Sequence, residues 1–173
     1  MSSKIKFISI FCFFIFCFFI FFLSLKDSKK YTPKALINKK IINFEMKQLE
    51  SNEIITENDI FEINKITLLN IWSSWCLPCR EEHKYLTKLK MNNKLNIVGI
   101  NYKDKKKNAQ IFLSEYGNPY KLILVDGDGK NSINFGAYGV PETFIYNSEK
   151  KLIKKIVGPI DLKSFNEIKN ILK

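Results

Sequence analysis

Arginine, histidine and cysteine are scarce in this chain of 173 residues, and each scarcity excludes something. Arg80 is the one arginine among 28 basic residues, so the planar fork that grips phosphates and guanine edges is almost missing. The net charge of +11 is therefore not a nucleic-acid signal, and no nucleic-acid partner is expected. The lysines are spread along the chain beside abundant Ile, Asn and Phe, a bias that suits an AT-rich coding sequence. The densest run, KDKKK at 103–107, reads as a solvated loop, with a docking patch for an acidic partner as the alternative. His83 is the sole histidine. A zinc site built on Cys76, Cys79 and His83 would lack a further Cys or His ligand in the polar part of the chain. Cys12 and Cys17 lie inside an apolar run and read as small apolar fillers. With one pair left, a disulfide framework of the kind that staples small secreted domains is excluded.

What is present begins with that apolar run. From Phe7 to Leu25 there is no charge. A helix of this length spans roughly 28 Å, about one hydrocarbon core. A secretory signal has a shorter apolar region and a small-residue cleavage site, and FLSLKDSKKY offers no such site. Residues 1–25 are expected to be an uncleaved single-pass anchor and 26–39, polar and containing Pro33, a tether. Lys26, Lys29, Lys30 and Lys34 outnumber Lys4 and Lys6 across the run. Taken alone, this bias would leave the remaining chain in the cytoplasm.

Residues 40–173 suit one α/β domain. Two short apolar runs, 41–46 and 53–56, suggest a leading hairpin. ITLLNIW (66–72), LNIVGINY (95–102) and YKLILVD (120–126) read as buried strands, with a helix from Pro78 to about Leu89 and a shorter one over 108–117. DGDGK reads as a tight turn, because the twelfth position of a calcium loop would be Ala137. Residues 143–158 read as an antiparallel hairpin and 161–173 as an amphipathic closing helix, giving a mixed sheet with helices on both faces.

The stretch WCLPCREEH, 75–83, falls where a buried strand hands over to a helix. Unpaired N–H groups and the positive helix end stabilise a thiolate there, so Cys76 is expected to be the exposed nucleophile. Cys79, one turn in, is expected to be less accessible and to attack the mixed disulfide from within. Pro78 is tolerated in the first turn, where its missing N–H would be unpaired anyway. A permanent cross-link closing so small a loop would add little. Haem attachment would need a histidine directly after Cys79, where Arg80 stands. His83 reads as a packed or capped helix residue. Pro141 in GVPET, between a loop and a buried strand, is a candidate cis peptide.

NIWSSWCLPCR and GVPET together resemble the redox motif and opposing cis-proline of the thioredoxin fold. TLLNIWSSWCLPCREEHKYL, IVGINYKD, GNPYKLILVDGDGK and GAYGVPETF, in that order and spacing, closely resemble the membrane-anchored DsbE/CcmG family of cytochrome c maturation, over roughly 33–161. The resemblance implies a thioredoxin-like fold with an N-terminal hairpin extension and an N-terminal transmembrane helix. It implies a redox pair at Cys76 and Cys79, a cis peptide at Pro141, and a substrate groove flanked by Trp75 and the backbone of Val140. It also implies a single-pass protein of the cell inner membrane with its domain on the periplasmic side, against the lysine bias. Its partners would be apocytochrome c or an accessory protein of haem attachment, and a membrane electron donor of the DsbD/CcdA type. No cofactor or metal is implied. Lys40 and Ile42 stand where family members often have prolines, and Asn70 replaces the buried acid of ordinary thioredoxins.

With that acid missing, Glu82 and Glu142 become the candidates to modulate the thiol pKa values. A negative charge near Cys76 disfavours its thiolate and raises its pKa, which pushes the couple toward reductant. The expected activity is thiol:disulfide exchange: Cys76 attacks, Cys79 resolves, and the protein donates electrons. The alternatives are an anchored thioredoxin-like reductase of other specificity, or a copper or zinc carrier using Cys76, Cys79 and His83.

Overall fold

The structure, a computed structural model, describes residues 3–26 and 36–173, in two units divided between residues 31 and 32. The first unit is helix α1, Ser3–Lys26. Its stretch Ile5–Leu23 is long and apolar enough to cross a membrane, and its Phe and Ile side chains are exposed. Most of the expected tether lies outside the described residues. The second unit is ordered ahead of residue 40: the Asn38 N–H donates to the Leu152 carbonyl and the Leu152 N–H to that of Lys39.

The second unit contains β1 (Glu45–Gln48), β2 (Ile54–Thr56), β3 (Ile66–Trp72), α2 (Leu77–Leu89), β4 (Leu95–Tyr102), α3 (Lys106–Tyr116), β5 (Leu122–Asp126), α4 (Lys130–Asn134), β6 (Glu142–Tyr146), β7 (Leu152–Val157) and α5 (Leu162–Ile171). One seven-stranded sheet has the order β2-β1-β5-β4-β3-β6-β7. The β3–β4 and β4–β5 pairs are parallel and the rest antiparallel. Central β3 and β4 are buried almost throughout, as their near-continuous apolar runs lead one to expect, and Thr67, Asn70, Asn96 and Asn101 are buried with them.

The crossovers β3–α2–β4 and β4–α3–β5 step the same way along the sheet. With one handedness they put both helices on one face, and there α2, α3 and α5 bury Leu86, Leu89, Phe112, Leu113 and Ile168 with Leu68, Ile97 and Ile145. The opposite face holds Leu69, Ile71, Ile100 and Phe144, covered by Ile41, Phe44, Ile60 and Phe135 at the end of α4. Helices therefore flank both faces, but unequally. At Gly99 in β4 an added Cβ would lie 2.8 Å from the Trp72 indole nitrogen, so only glycine leaves room for Trp72 to stack on Tyr120, ring centres 5.4 Å apart.

The leading hairpin forms slightly later than the apolar run suggested. Strand β1 begins at Glu45, while Ile41 and Phe44 plug the core before it. Helix α3 begins earlier, so Lys106 and Lys107 of the lysine run are helical and not loop. Helix α4, five residues long, was not anticipated; Asp126 founds it by accepting from the N–H and hydroxyl of Ser132 at 2.7 and 2.6 Å.

Candidate active site

Central strand β3 ends at Trp72, and Ser73 to Trp75 turn the chain into α2. Cys76 is the N-cap of α2, and its sulfur accepts the N–H of Cys79 at 3.2 Å. The two cysteines are joined in a disulfide. The expected contrast in exposure is absent in this form: Cys76 is 3% exposed and Cys79 2%. The two sulfurs are turned onto each other, so what distinguishes the residues is position. One caps the helix, where N–H groups favour a thiolate, and the other lies inside its first turn.

The turn before Cys76 is tied down from the neighbouring crossover, between β4 and α3. Asp104 accepts the N–H of Ser74 at 2.7 Å and its hydroxyl at 2.9 Å. The Ser73 hydroxyl donates to the Tyr102 carbonyl at 2.6 Å and the Trp75 indole N–H to that of Lys103 at 3.1 Å. Arg80 reaches back to the Ser74 carbonyl at 3.1 Å. Trp75 stays 57% exposed, a flat apolar wall beside the dithiol. Asp104 went unnoticed in the sequence; its signal was a single acid inside a run of lysines.

The Val140–Pro141 peptide is cis, and pairing of Glu142 with Ile71 sets it beside the end of β3 that leads to the dithiol. Pro141 and half-buried Val140 lead into β6, and the Pro141 carbonyl accepts from Gly158 at 3.0 Å.

Glu82 is fully buried one turn after Cys79. Its Oε1 accepts from the Asn70 amide at 2.8 Å and its Oε2 from the Ile160 N–H at 2.8 Å. Burial pushes its carboxyl up to about 7, against those two hydrogen bonds, which favour the anion. Asn70 also donates to the Thr143 hydroxyl at 3.1 Å and accepts from the Tyr120 hydroxyl at 2.8 Å. Burial, and then the charge of Glu82, hold the Tyr120 phenol well above its ordinary range. The residue that replaces an acid is thus the hub of a buried polar network around the other acid.

Glu142 is buried too but placed differently. Alternation along β6 puts Thr143 on the face of Asn70 and Glu82, and Glu142 on the other, with Phe144. Its carboxylate forms an ion pair with Lys155 at 2.7 Å and accepts the N–H groups of Tyr138 and Gly139. The two acids expected to act together are not brought together. His83 is a packed helix residue: its Nε2–H meets the Gly117 carbonyl at 2.7 Å and its ring abuts Phe112. Burial holds its pKa below the ordinary histidine value.

The family model described as Redoxin matches residues 37–172. A thiol:disulfide interchange protein CycY of Rhizobium leguminosarum bv. viciae is 50% identical over 95 residues, 55% of this chain and 51% of that protein, so the match spans about half its length. The thiol:disulfide interchange protein DsbE of Allochromatium vinosum is 36% identical over 84% of this chain and 80% of its own. DsbE of Escherichia coli K12 is 37% identical over 77% and 71%. Among solved structures, a DsbE from Chlorobium tepidum superposes with a TM-score of 0.66 at 20% identity, covering 79% of this chain and 95% of that one. A secreted Mycobacterium tuberculosis disulfide oxidoreductase gives 0.63 at 22%, covering 75% and 93%. These structures share the thioredoxin-like fold. With a bridged Cys-x-x-Cys pair at a helix start, a family match over residues 37–172 and DsbE relatives matched over 71–80% of their length, the chain belongs to the DsbE family of thiol:disulfide interchange proteins and is a thiol:disulfide oxidoreductase.

Proposed function

We propose that this oxidoreductase donates electrons to a disulfide in apocytochrome c, or in an accessory protein of haem attachment, from the periplasmic side of the inner membrane. The observation that carries the direction is Glu82, a buried carboxyl titrating near 7 one turn after Cys79. Residues i and i+3 of a helix stand about 5–6 Å apart, so at an effective dielectric near 20 an ionised Glu82 disfavours a thiolate at Cys79 by on the order of 3 kcal/mol. The helix dipole and cap favour the Cys76 thiolate by about 0.3–1 kcal/mol. The larger effect opposes thiolates, and a reduced form with little thiolate stabilisation makes a reductant.

The Cys76 thiolate attacks the substrate disulfide, forming a mixed disulfide and freeing one substrate thiolate. Cys79 then attacks the Cys76 sulfur, passing its proton to the Glu82 carboxylate. The second substrate sulfur leaves as a thiolate that takes its proton from water, and the Cys76–Cys79 disulfide forms. Two electrons have moved to the substrate, and a membrane carrier of the DsbD/CcdA type restores the dithiol. Trp75, Val140 and Pro141 receive the extended substrate segment, and no cofactor takes part. The helix Ile5–Leu23 is the anchor.

A Cys79→Ser variant expressed in cells tests this. It leaves Cys76 able to attack but unable to be displaced, so the substrate stays attached. Capture of apocytochrome c or a haem-attachment protein is expected. Capture of unrelated oxidative-folding substrates would contradict the assignment. Glu82→Gln should slow release of the mixed disulfide by about 100-fold at neutral pH, the lower end of the usual range for losing a general base.

A further inference from the structure

We propose that Lys155 is a positioning residue for substrate: through Glu142 it clamps loop 136–141 in the shape that receives the substrate backbone. This rests on the reading that Val140 and Pro141 line the substrate groove.

Lys155 is 2% exposed, an unusual place for an ammonium group. Its donors are used on one loop. Nζ donates to the Gly136 carbonyl at 2.7 Å and pairs with the Glu142 carboxylate at 2.7 Å. It also lies 4.3 Å from the centre of the Tyr138 ring and 5.1 Å from that of Phe144. Glu142 passes the hold on, since its Oε1 accepts the N–H of Tyr138 at 2.8 Å and of Gly139 at 3.2 Å. The loop is fixed at Gly136, Tyr138, Gly139 and Glu142, on both sides of the Val140–Pro141 peptide.

Strand geometry explains the reach. Lys155 pairs with Phe144 across the β6–β7 hairpin, which makes Glu142 its diagonal neighbour on the same face. That face is the one turned away from Asn70 and Glu82. The pair is neutral as a whole and removed from the dithiol network. Its effect should therefore fall on how the groove is shaped and not on thiol chemistry. Buried ion pairs seldom add stability over apolar packing, and a specific geometry is what this one provides.

The test uses Lys155→Met combined with Glu142→Gln, which leaves no unpaired buried charge and keeps an acceptor for Tyr138 and Gly139, beside Lys155→Arg, which keeps charge and donors. The probe is a synthetic peptide bearing an intramolecular Cys-x-x-Cys disulfide. The double variant should raise KM for the peptide at least about fivefold with a much smaller change in kcat, the signature of lost binding. The Cys76 thiol pKa should not move, and Lys155→Arg should recover most of the KM. Unchanged KM in the double variant, or a shifted Cys76 pKa with KM intact, would overturn the clamp while leaving the function standing. A wild-type protein that cannot reduce the peptide would overturn both.

Discussion

Asn70 donates a 2.8 Å hydrogen bond to the carboxyl of Glu82, both side chains fully buried. A neutral amide thus stands beside the one buried acid on the dithiol face. It can steady that acid in either protonation state, because its carbonyl is already committed to the Tyr120 hydroxyl.

Stability should depend on pH through Glu82. Its folded pKa, about 7, lies above the ordinary 4.5. Between these values the folded state holds a proton that the unfolded state has released, so stability falls as pH rises through the window. It is fully present below 4.5 and reduced by on the order of 3 kcal/mol above 7. Urea denaturation of wild type and Glu82→Gln from pH 4 to 8 checks this. The wild type should lose stability across the window and the glutamine variant should stay flat in comparison. A glutamine keeps one acceptor oxygen where the carboxylate has two, so it can accept from Asn70 or from Ile160 but not both; that loss lowers stability by the same amount at every pH and adds no slope.

Asn70→Asp should install a second carboxyl against the first. Two buried acids sharing one site cannot both ionise, so one pKa rises further. At pH 7 the variant should be less stable by about 1–3 kcal/mol. The deficit should shrink toward pH 5, where both can be protonated. Denaturation midpoints at pH 5 and 8 measure it.

His83→Ala should destabilise without touching redox chemistry. It removes the hydrogen bond to Gly117 and the packing on Phe112, costing about 2–4 kcal/mol. The potential of the dithiol couple should stay put. In the wild type, NMR should find the His83 ring titrating below the ordinary histidine midpoint, because its burial disfavours the charged form.

Local features were the legible ones. Trp-Cys-Leu-Pro-Cys between a mostly apolar strand and a helical pattern placed the dithiol, and Gly-Val-Pro marked the cis peptide. The partners of the acids were not legible, because pairing across a sheet depends on register. Tyr120 meets Asn70 from 50 residues away, and Lys155 meets Glu142 only once β6 and β7 are aligned. Even so, LIKKIV carried a hint: alternation in a hairpin strand must turn one of two successive lysines toward the core side. Helix α4 escaped because five residues show no period. The burial of both cysteines escaped because spacing says nothing about the oxidised form's cover.

The reduction potential of the Cys76–Cys79 couple, measured against glutathione and dithiothreitol buffers at pH 7, tests the central claim most directly. An electron donor with an acid behind its dithiol should sit at or below about −200 mV, in the range of glutaredoxins and thioredoxin. A potential near about −120 mV, with a Cys76 thiolate pKa near about 4, would mark a strong oxidant and contradict the account.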